Sequence, residues 1–318
     1  MPFHTILGAN GAVGRELSRA LNARGLRLRQ VSRHPRREFP ADETIVADLT
    51  SAPSTAAAIA GSDVVYLTAG VSYSTAAWQA DWPSIMANVI DGCERSGAAL
   101  VFFDNVYAYG VVDGAMTEET PFNPCSHKGE LRARIATTLL DAIRSQRVTA
   151  MIVRSPDFYY PSEAGRTTGL LNAIVFDRLR AGKAAQWLGN PDASHSFSYT
   201  PDLGRSLALL STDKAAFGQT WHALTTPERL CGRELVHLAA EIGEVQAKLQ
   251  NAPRWMIRML GLFQPMMREQ VEMMYQYERP YIFSSTKLEH ALGVSATSYR
   301  DAFREVWSSG VRSSAAAA

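Results

Sequence analysis

The sequence lacks an excess of charge of either sign. It has 32 lysine and arginine residues against 31 aspartates and glutamates, a formal net charge of +1. Nucleic acids and membrane surfaces usually attract proteins through a basic excess, so this balance predicts neither partner. The sequence also lacks an apolar run long enough to cross a bilayer, and its first short apolar run leads into a glycine turn, unlike a signal peptide. These absences predict a soluble, cytoplasmic protein.

Cysteine is scarce as well. The three cysteines, Cys93, Cys125 and Cys231, are odd in number and far apart, which excludes a disulfide framework and a zinc cluster. We therefore predict free thiols and no metal site. What is present is ordinary for a globular protein, with 46% hydrophobic and 20% charged residues. A chain of 318 residues suits one large domain with a smaller one.

Strand and helix patterns alternate through the first half of the chain. The strand patterns occupy 3–7, 26–31, 44–47, 63–67, 99–103 and 148–153, and helical patterns separate most of them. Repeated strand–helix units of this length predict an α/β fold, a Rossmann-type doubly wound parallel sheet with right-handed crossovers. The second half lacks this regularity and predicts a smaller, mostly helical C-terminal lobe.

A glycine-rich turn follows the first strand, in the sequence Gly8-Ala9-Asn10-Gly11-Ala12-Val13-Gly14. A tight turn needs backbone freedom at the first glycine, and a pyrophosphate needs close approach to the backbone at the second. The helix that begins near Ala12 offers N–H groups and the positive end of its dipole to phosphates. Because strand, turn and helix are all in place, this motif predicts a dinucleotide site rather than a glycine turn without a ligand.

The domain boundaries follow from these patterns. We assign residues 1–160 to a dinucleotide-binding Rossmann domain, with a later return of the chain around 200–224. Residues 161–312 form mainly the substrate-binding lobe. The low-complexity residues 313–318 predict a disordered tail.

The residues after the second strand indicate which dinucleotide is bound. An NAD-selecting site usually carries Asp or Glu there for the ribose hydroxyls, but the sequence has Ser32-Arg33 and no carboxylate before Glu38. The guanidinium of Arg33 would pair with the 2′-phosphate of NADP. We predict NADP, with NAD less favoured; the alternative interpretation is a solvated basic loop. Asp48 and Leu49, after the third strand, are predicted to contact the adenine.

Further motifs along the chain are loose alone and specific in combination. They are Ala47-Asp48-Leu49, Thr68-Ala69-Gly70, Asn88, Val106-Tyr107-Ala108-Tyr109-Gly110, Thr117-Glu118-Glu119-Thr120-Pro121, Arg154-Ser155-Pro156-Asp157-Phe158-Tyr159, Tyr199-Thr200-Pro201-Asp202 and Ser285-Thr286-Lys287. With the glycine turn, they resemble the extended short-chain dehydrogenase/reductase family, also called the NAD-dependent epimerase/dehydratase family. The resemblance covers nearly the whole chain. It implies that Thr68, Ala69 and Gly70 belong to the cofactor pocket and that the C-terminal lobe closes over the substrate.

The chain resembles an atypical member, because it departs from the family's catalytic motif. The family carries Tyr-x-x-x-Lys and a Ser or Thr just after the fifth strand. Here Lys128 has the matching context, but Pro124 stands four residues before it and Asn105 holds the Ser/Thr position. The resemblance implies that Lys128 binds the nicotinamide ribose and lowers the pKa of a nearby phenol. The alternative is an exposed lysine at a helix start.

Another side chain must replace the missing tyrosine if the chain reduces carbonyls, because Pro124 cannot transfer a proton. Tyr107 lies two residues beyond Asn105, and continued strand geometry would place both side chains on one face at the carboxyl end of the sheet. We predict Tyr107 as the catalytic tyrosine and a substrate contact, oriented by Asn105 and assisted by Lys128. The alternative is a tyrosine that only packs under the substrate lobe.

Other residues of the second half are candidate contacts. Asp157 matches a position where relatives touch substrate, with a turn-capping aspartate as the alternative; Tyr159 is a predicted substrate contact and the rival proton donor. His195 is interpreted as a hydrogen-bonded structural histidine. The apolar segment 255–263 fits a substrate-pocket wall, a homodimer contact or core packing, and core packing is favoured.

Three functions remain open from the sequence. The leading one is an NADP-dependent oxidoreductase that acts on a small carbonyl compound or alcohol. The second is a nucleotide-sugar epimerase or dehydratase, which the missing Tyr and Ser/Thr disfavour. The third is a non-catalytic NADP-sensing regulator, since such a protein would also have lost the tyrosine. The predicted partners are a small-molecule substrate and, as an open alternative, a second copy of the chain in a homodimer.

Overall fold

The computed structural model describes residues 2–161 and 169–317. In the first half of the chain, strands and helices alternate as predicted. The strands are β1 Phe3–Leu7, β2 Arg27–Ser32, β3 Glu43–Val46, β4 Val64–Leu67, β5 Ala99–Asn105, β6 Ala115–Met116, β7 Ala150–Ser155, β8 Phe158–Tyr159, β9 Ala185–Leu188, β10 Ser198–Tyr199, β11 Thr220–His222, β12 Leu249–Ala252 and β13 Ile282–Phe283. The helices are α1 Ala12–Asn22, α2 Ala52–Ile59, α3 Thr75–Ser96, α4 His127–Arg144, α5 Asp177–Arg180, α6 Thr200–Leu210, α7 Gly232–Ile242, α8 Arg254–Leu260, α9 Pro265–Val271, α10 Tyr275–Glu278, α11 Thr286–Leu292 and α12 Tyr299–Ala317.

The chain divides into two compact units. Unit 1 consists of Met1–Gly110, Pro121–Ser155 and Thr200–Ala223, and unit 2 of Val111–Thr120, Pro156–Tyr199 and Leu224–Ala318. The sequence places the boundary at residue 160 and the return of the chain around 200–224. It gives no sign that residues 111–120 belong with the second unit.

Unit 1 contains a seven-stranded sheet in the order β11-β7-β5-β4-β1-β2-β3. Every neighbouring pair is parallel, so the predicted α/β fold with a Rossmann-type parallel sheet is confirmed. The strand order reverses between β1 and β4. In sheets of this kind, the carboxyl ends of the strands at such a switch point form the ligand crevice.

The core of unit 1 follows from its apolar strands. All four residues of β4 are buried, as expected of a parallel strand covered by helices on both faces. On one face, Val89 of α3 and Leu139 of α4 join the same apolar cluster. Elsewhere α1 packs against α6, and a Cβ on Gly204 would lie 2.4 Å from the carbonyl carbon of Glu16. Glycine at this position therefore allows the two helix backbones to approach.

Unit 2 is mostly helical. Its strands form two-stranded parallel pairs, β6 with β13, β8 with β10 and β9 with β12. Its aromatic core includes Phe176, Trp187, Tyr299 and Phe303. Helix α12 continues to Ala317, which differs from the disordered tail expected over 313–317, and Ala318, the last residue of that prediction, lies outside the described residues. Alanine is the strongest helix former, so the alanine-rich end extends the helix instead of ending it.

The apolar segment 255–263 is not a core element. Ile257 is buried, whereas Trp255 is 62% and Phe263 85% exposed. The expectation of core packing is therefore wrong for most of this segment. The apolar pattern alone did not distinguish a buried helix face from an exposed one.

Candidate cofactor and catalytic site

The glycine turn in unit 1 contains two glycines whose neighbours leave no room for a side chain, Gly8 and Gly14, and one, Gly11, with fewer close neighbours. Gly8 has φ +94°, and a Cβ there would lie 2.4 Å from Cα of Ala69. A Cβ on Gly14 would lie 2.7 Å from the carbonyl oxygen of Gly8. Gly11 is the N-cap of α1 with φ −67°, and its added Cβ would meet only the Gly8 oxygen, at 3.3 Å, and the Thr68 oxygen, at 3.9 Å. Gly8 and Gly14 thus shape the turn, and Gly11 leaves room beside it.

A cavity of about 540 Å³ lies beside this turn at the carboxyl ends of β1, β2 and β4. Its lining residues are Gly8, Asn10, Gly11, Val31, Ser32, Arg33, His34, Ala47, Asp48, Leu49, Thr50, Ala69, Gly70, Val71, Ser72, Asp81 and Ile85. Of the predicted cofactor residues, Gly8, Asn10, Gly11, Ser32, Arg33, Asp48, Leu49, Ala69 and Gly70 are among them. Ala12, Val13, Gly14, Thr68 and Lys128 are not, and Val13 and Gly14 are buried.

The residues present fit a dinucleotide. The first turn of the eleven-residue helix α1 begins beside the cavity at Gly11, where backbone N–H groups and the helix dipole favour an anion. Adding a Cβ at Gly11 would fill part of this space. The apolar walls from Val31, Leu49 and Ile85 suit a flat aromatic base.

The rim of the cavity is shaped by side chains that the glycine motif does not reveal. The Asn10 amide donates to the carbonyl of His34 (2.7 Å) and accepts from the N–H of Arg36 (3.3 Å), so it holds the loop after β2. Arg33 is exposed on this loop. Glu38, the first carboxylate after β2, lies within 3.3 Å of both Arg15 and Arg19. Because these ion pairs neutralise the Glu38 carboxylate, the loop after β2 keeps its positive charge.

The end of the cavity at Asp48 and Leu49 is fixed by local hydrogen bonds. Asp48 accepts from the N–H (3.0 Å) and hydroxyl (2.8 Å) of Thr50. These bonds hold the pKa of the Asp48 carboxyl below its ordinary value, and the positive charge of Arg33 adds to the effect. The Asn88 amide of α3 donates to the carbonyl of Leu49 at 3.0 Å. Asn88, which the sequence supplies only as a family motif, therefore positions a cavity residue.

Lys128 lies in a polar–aromatic cluster of unit 1. It is the second residue of α4, whose N-cap Ser126 accepts from the N–H of Gly129 at 3.0 Å. Its side chain is fully buried, which is not the exposed lysine of the alternative interpretation. Its ammonium donates to the hydroxyl of Thr75 at 3.1 Å and lies 5.0 Å from the ring centre of Tyr73. The structure thus places a tyrosine beside Lys128 that sequence reasoning missed.

The backbone at Tyr107 is not the extended strand that we expected. Strand β5 ends at Asn105, and Tyr107–Tyr109 form a single 3-10 turn, so the argument from strand alternation is wrong. The Asn105 side-chain oxygen accepts from the backbone N–H of Tyr107 at 3.0 Å and forms the turn. The Tyr107 ring stacks on Trp78, with centres 6.3 Å apart, and Trp78 also meets the ring of Tyr73. Asn105 therefore orients the backbone of Tyr107.

A buried ion network supports this turn from beneath. Asp104 on β5 accepts from Nε of Arg132 at 2.8 Å and from Arg154 of β7, and it also accepts from the N–H of Asn105 at 2.8 Å. Arg154 donates to the hydroxyl of Tyr109 at 2.9 Å. All of these charged groups are buried. A buried pair is expensive to break, so the network fixes the carboxyl end of β5.

Most of the chain matches the model of a known protein family. The NAD dependent epimerase/dehydratase family model matches residues 4–221, more than half of the chain. The chain belongs to the NAD-dependent epimerase/dehydratase family. A search of curated protein sequences finds no match.

Solved structures of family enzymes share the fold of this family member. A UDP-glucose 4-epimerase from Thermus thermophilus, in complex with NAD, is 18% identical, with 96% of this chain and 98% of that chain covered and a TM-score of 0.78. A double mutant of the dTDP-glucose 4,6-dehydratase from Streptomyces venezuelae, with NAD bound, is 17% identical, with 97% and 96% covered and a TM-score of 0.77. A UDP-N-acetylglucosamine 4-epimerase from Bacillus cereus is 14% identical, with 96% of each chain covered and a TM-score of 0.74.

Of the predicted substrate residues, Tyr107 lies in unit 1, and Asp157 and Tyr159 lie in unit 2. Asp157 accepts from the hydroxyl of Tyr277 and lies 3.6 Å from Nε2 of His195. His195 is buried, and its Nδ1 donates to the carbonyl of Gln276 at 3.0 Å. Tyr159 is fully buried among Tyr199, Tyr299 and Phe303, so its ring is a core side chain.

Two kinds of site are absent from the part of the chain that the structure describes. Residues 2–161 and 169–317 contain no group of three or more His, Cys, Asp or Glu side chains placed to hold a metal ion. Within the same ranges, no helix is both long and apolar enough to cross a membrane.

Proposed function

We propose that the chain is an NADP-dependent oxidoreductase that acts on a small carbonyl compound or alcohol. The main support is the cavity of unit 1, which is lined by the glycine turn beside the start of α1 and by Arg33. Arg33 lies on a loop that stays basic, because Glu38 pairs with Arg15 and Arg19. Pyrophosphate would be held at Gly11, and the 2′-phosphate would be met by Arg33. When bound, the nicotinamide supplies or accepts a hydride.

Tyr107, Lys128 and Asn105 are proposed to manage the proton. Hydride transfer to a carbonyl needs a proton donor at the developing alkoxide, and the phenol of Tyr107 is the proposed donor. Asn105 holds the turn that carries it. Lys128 is proposed to turn from Thr75 toward the nicotinamide ribose, and its positive charge would favour a nearby phenolate. Asp157 and Tyr159 remain proposed substrate contacts, although contact with Tyr159 requires its core packing to open.

Nucleotide-sugar epimerisation or dehydration is the second proposal. It draws support from the family and from the printed activities of the structural neighbours. This second proposal is disfavoured because the chain has Pro124 in place of the usual Tyr and Asn105 in place of the usual Ser or Thr. A non-catalytic NADP sensor is the third proposal and predicts binding without turnover.

One experiment separates the three proposals. The purified protein is assayed for NADPH oxidation with a panel of aldehydes and ketones and for conversion of UDP- and dTDP-sugars by chromatography. Steady NADPH oxidation with a carbonyl compound supports the first proposal, and sugar conversion without net oxidation supports the second. Cofactor binding with neither reaction supports the sensor and refutes both enzymes.

We also propose a cytoplasmic homodimer. Support for the dimer is an open groove of about 530 Å³ between α3 and α4, lined by Pro83, Met86, Leu131 and Ile135 among others. Support for the compartment is the sequence, whose three widely spaced cysteines do not form a disulfide framework. Light scattering on the intact protein tests the dimer, and a monomer at all concentrations would refute it.

A further inference from the structure

The largest exposed apolar side chains of the described residues are concentrated in one short segment. We name Arg254–Val271 the apolar hairpin; it comprises α8, a turn and α9. Its exposed members are Trp255, Met259, Leu260, Leu262, Phe263 and Met266. Among the other residues of 2–161 and 169–310, Val46, Val111 and Val245 are the comparably exposed ones, and they are scattered along the sequence. Single exposed apolar residues are normal, but a contiguous group marks a contact surface.

The hairpin is a defined structure rather than a loose loop. Ile257 is its buried anchor in the unit 2 core. A Cβ on Gly261 would lie 3.0 Å from Cα of Arg268, and Nε of Arg268 donates to the carbonyl of Gly261 at 3.2 Å. These contacts close the turn between α8 and α9. The apolar side chains are therefore displayed by a hairpin that packing holds in place.

The charges of the hairpin are mostly positive. Arg254–Val271 contains three arginines, Arg254, Arg258 and Arg268, and one carboxylate, Glu269. Arg254 pairs with Glu278 at 3.0 Å, whereas Arg258 and Arg268 are exposed without an ion pair to any described residue. The net charge of +1 for the whole chain conceals this local excess. A helix with Trp, Phe and Leu beside basic residues is typical of an element that lies in a membrane interface.

We propose that the apolar hairpin binds the surface of an anionic lipid bilayer. Trp255, Leu262 and Phe263 enter the interfacial region, and Arg258 and Arg268 meet the lipid phosphates. A second copy of the chain fits less well, because a two-fold contact would bring together two hairpins that each carry three arginines against one glutamate. The proposal concerns contact with a membrane surface, which differs from the prediction, made from overall charge, of no membrane partner.

Vesicle flotation with the full-length protein tests the proposal. The vesicles contain either phosphatidylcholine alone or equal parts of phosphatidylcholine and phosphatidylglycerol. We expect binding to the anionic vesicles that weakens as salt is raised. The double variant Leu262→Glu, Phe263→Glu should bind roughly tenfold less or not at all. Arg258→Gln, which leaves the Arg268 contact of the turn in place, should lose roughly fivefold on anionic vesicles only.

A matched control uses an apolar residue of equal exposure outside the hairpin. Val46 and Leu262 are both 71% exposed, so Val46→Glu should bind vesicles like the parent protein. The proposal is overturned if the parent does not float with anionic vesicles. It is also overturned if the parent self-associates and the Leu262→Glu, Phe263→Glu variant becomes monomeric without any difference in lipid binding.

Discussion

At the scale of single residues, Gly11 and Gly14 belong to one motif but face different surroundings. Gly11→Val would direct a branched side chain into the cavity, and we expect loss of NADPH binding with a free energy of unfolding within about 1 kcal/mol of the parent. Gly14→Ala would place a methyl group against the Gly8 oxygen at 2.7 Å and should lose about 1–3 kcal/mol of stability by overpacking. Calorimetric titration and urea unfolding measure the two effects. A folded Gly11→Val protein that still binds NADPH would contradict the site.

Arg33 carries the proposed cofactor preference. Losing one charge-assisted hydrogen bond typically costs about 1.5–3 kcal/mol, so Arg33→Ala should weaken NADPH binding by roughly tenfold to a hundredfold. NADH binding should change little, because NADH has no 2′-phosphate. Arg37→Ala, a change of the same charge on the same loop, is the control. Equal weakening of both cofactors would remove the 2′-phosphate role from Arg33.

Tyr107 and Tyr73 are rival proton donors that a pair of variants distinguishes. Tyr107→Phe keeps the ring on Trp78 and removes the hydroxyl, and we expect turnover to fall by about 10²–10⁴ with NADPH affinity nearly unchanged. Tyr73→Phe keeps the ring beside Lys128 and should leave turnover within roughly threefold of the parent, a change smaller than about 1 kcal/mol. The reverse result in steady-state assays would assign the donor role to Tyr73.

At the scale of elements, a buried histidine on β1 makes the sheet sensitive to acid. His4 Nδ1 is 2.8 Å from the hydroxyl of Tyr66 on β4, which donates to Ser211 at 2.7 Å. Burial lowers the pKa of His4 from 6.5 to about 4. The unfolded chain therefore takes up this proton first as the pH falls. The stabilisation is present above pH 6.5 and is lost between about pH 6.5 and 4.

We expect the His4 contribution to appear as a loss of about 2 kcal/mol in the free energy of unfolding between about pH 7 and pH 5. Urea unfolding of the parent, of His4→Gln and of His237→Gln at both pH values measures it. His237 is exposed on α7, so its variant should keep the parent's pH dependence. His4→Gln should have a weaker one. If all three proteins respond equally to pH, His4 is not the source.

The strand–helix periodicity predicted the elements of unit 1 better than it predicted the catalytic turn. The sequences of β1, β4 and β5 are largely apolar, which is typical of strands that are covered on both faces in a parallel sheet. Periodicity could not predict that β5 stops at Asn105, because the stop depends on the Asn105 side chain and on the buried contact of Asp104 with Arg132 and Arg154. Such contacts join residues far apart in the chain.

At the scale of the whole molecule, the division into two units was only partly accessible from the sequence. The sequence analysis predicted a return of the chain around 200–224, and β11 lies there, at the edge of the sheet of unit 1. The assignment of 111–120 to unit 2 depends on the pairing of β6 with β13, which lies far along the chain. The exposure of the apolar hairpin could not be predicted either, because the sequence shows which residues are apolar but not whether another part of the fold covers them.

Titration of the parent protein with NADPH and NADH tests the central claim, that unit 1 binds a dinucleotide with a preference for the 2′-phosphate. We predict saturable binding of both cofactors at one site, with NADPH bound roughly tenfold or more tightly, and no binding to the folded Gly11→Val variant. A folded parent protein that binds neither cofactor would contradict the claim, and tighter binding of NADH would contradict the preference.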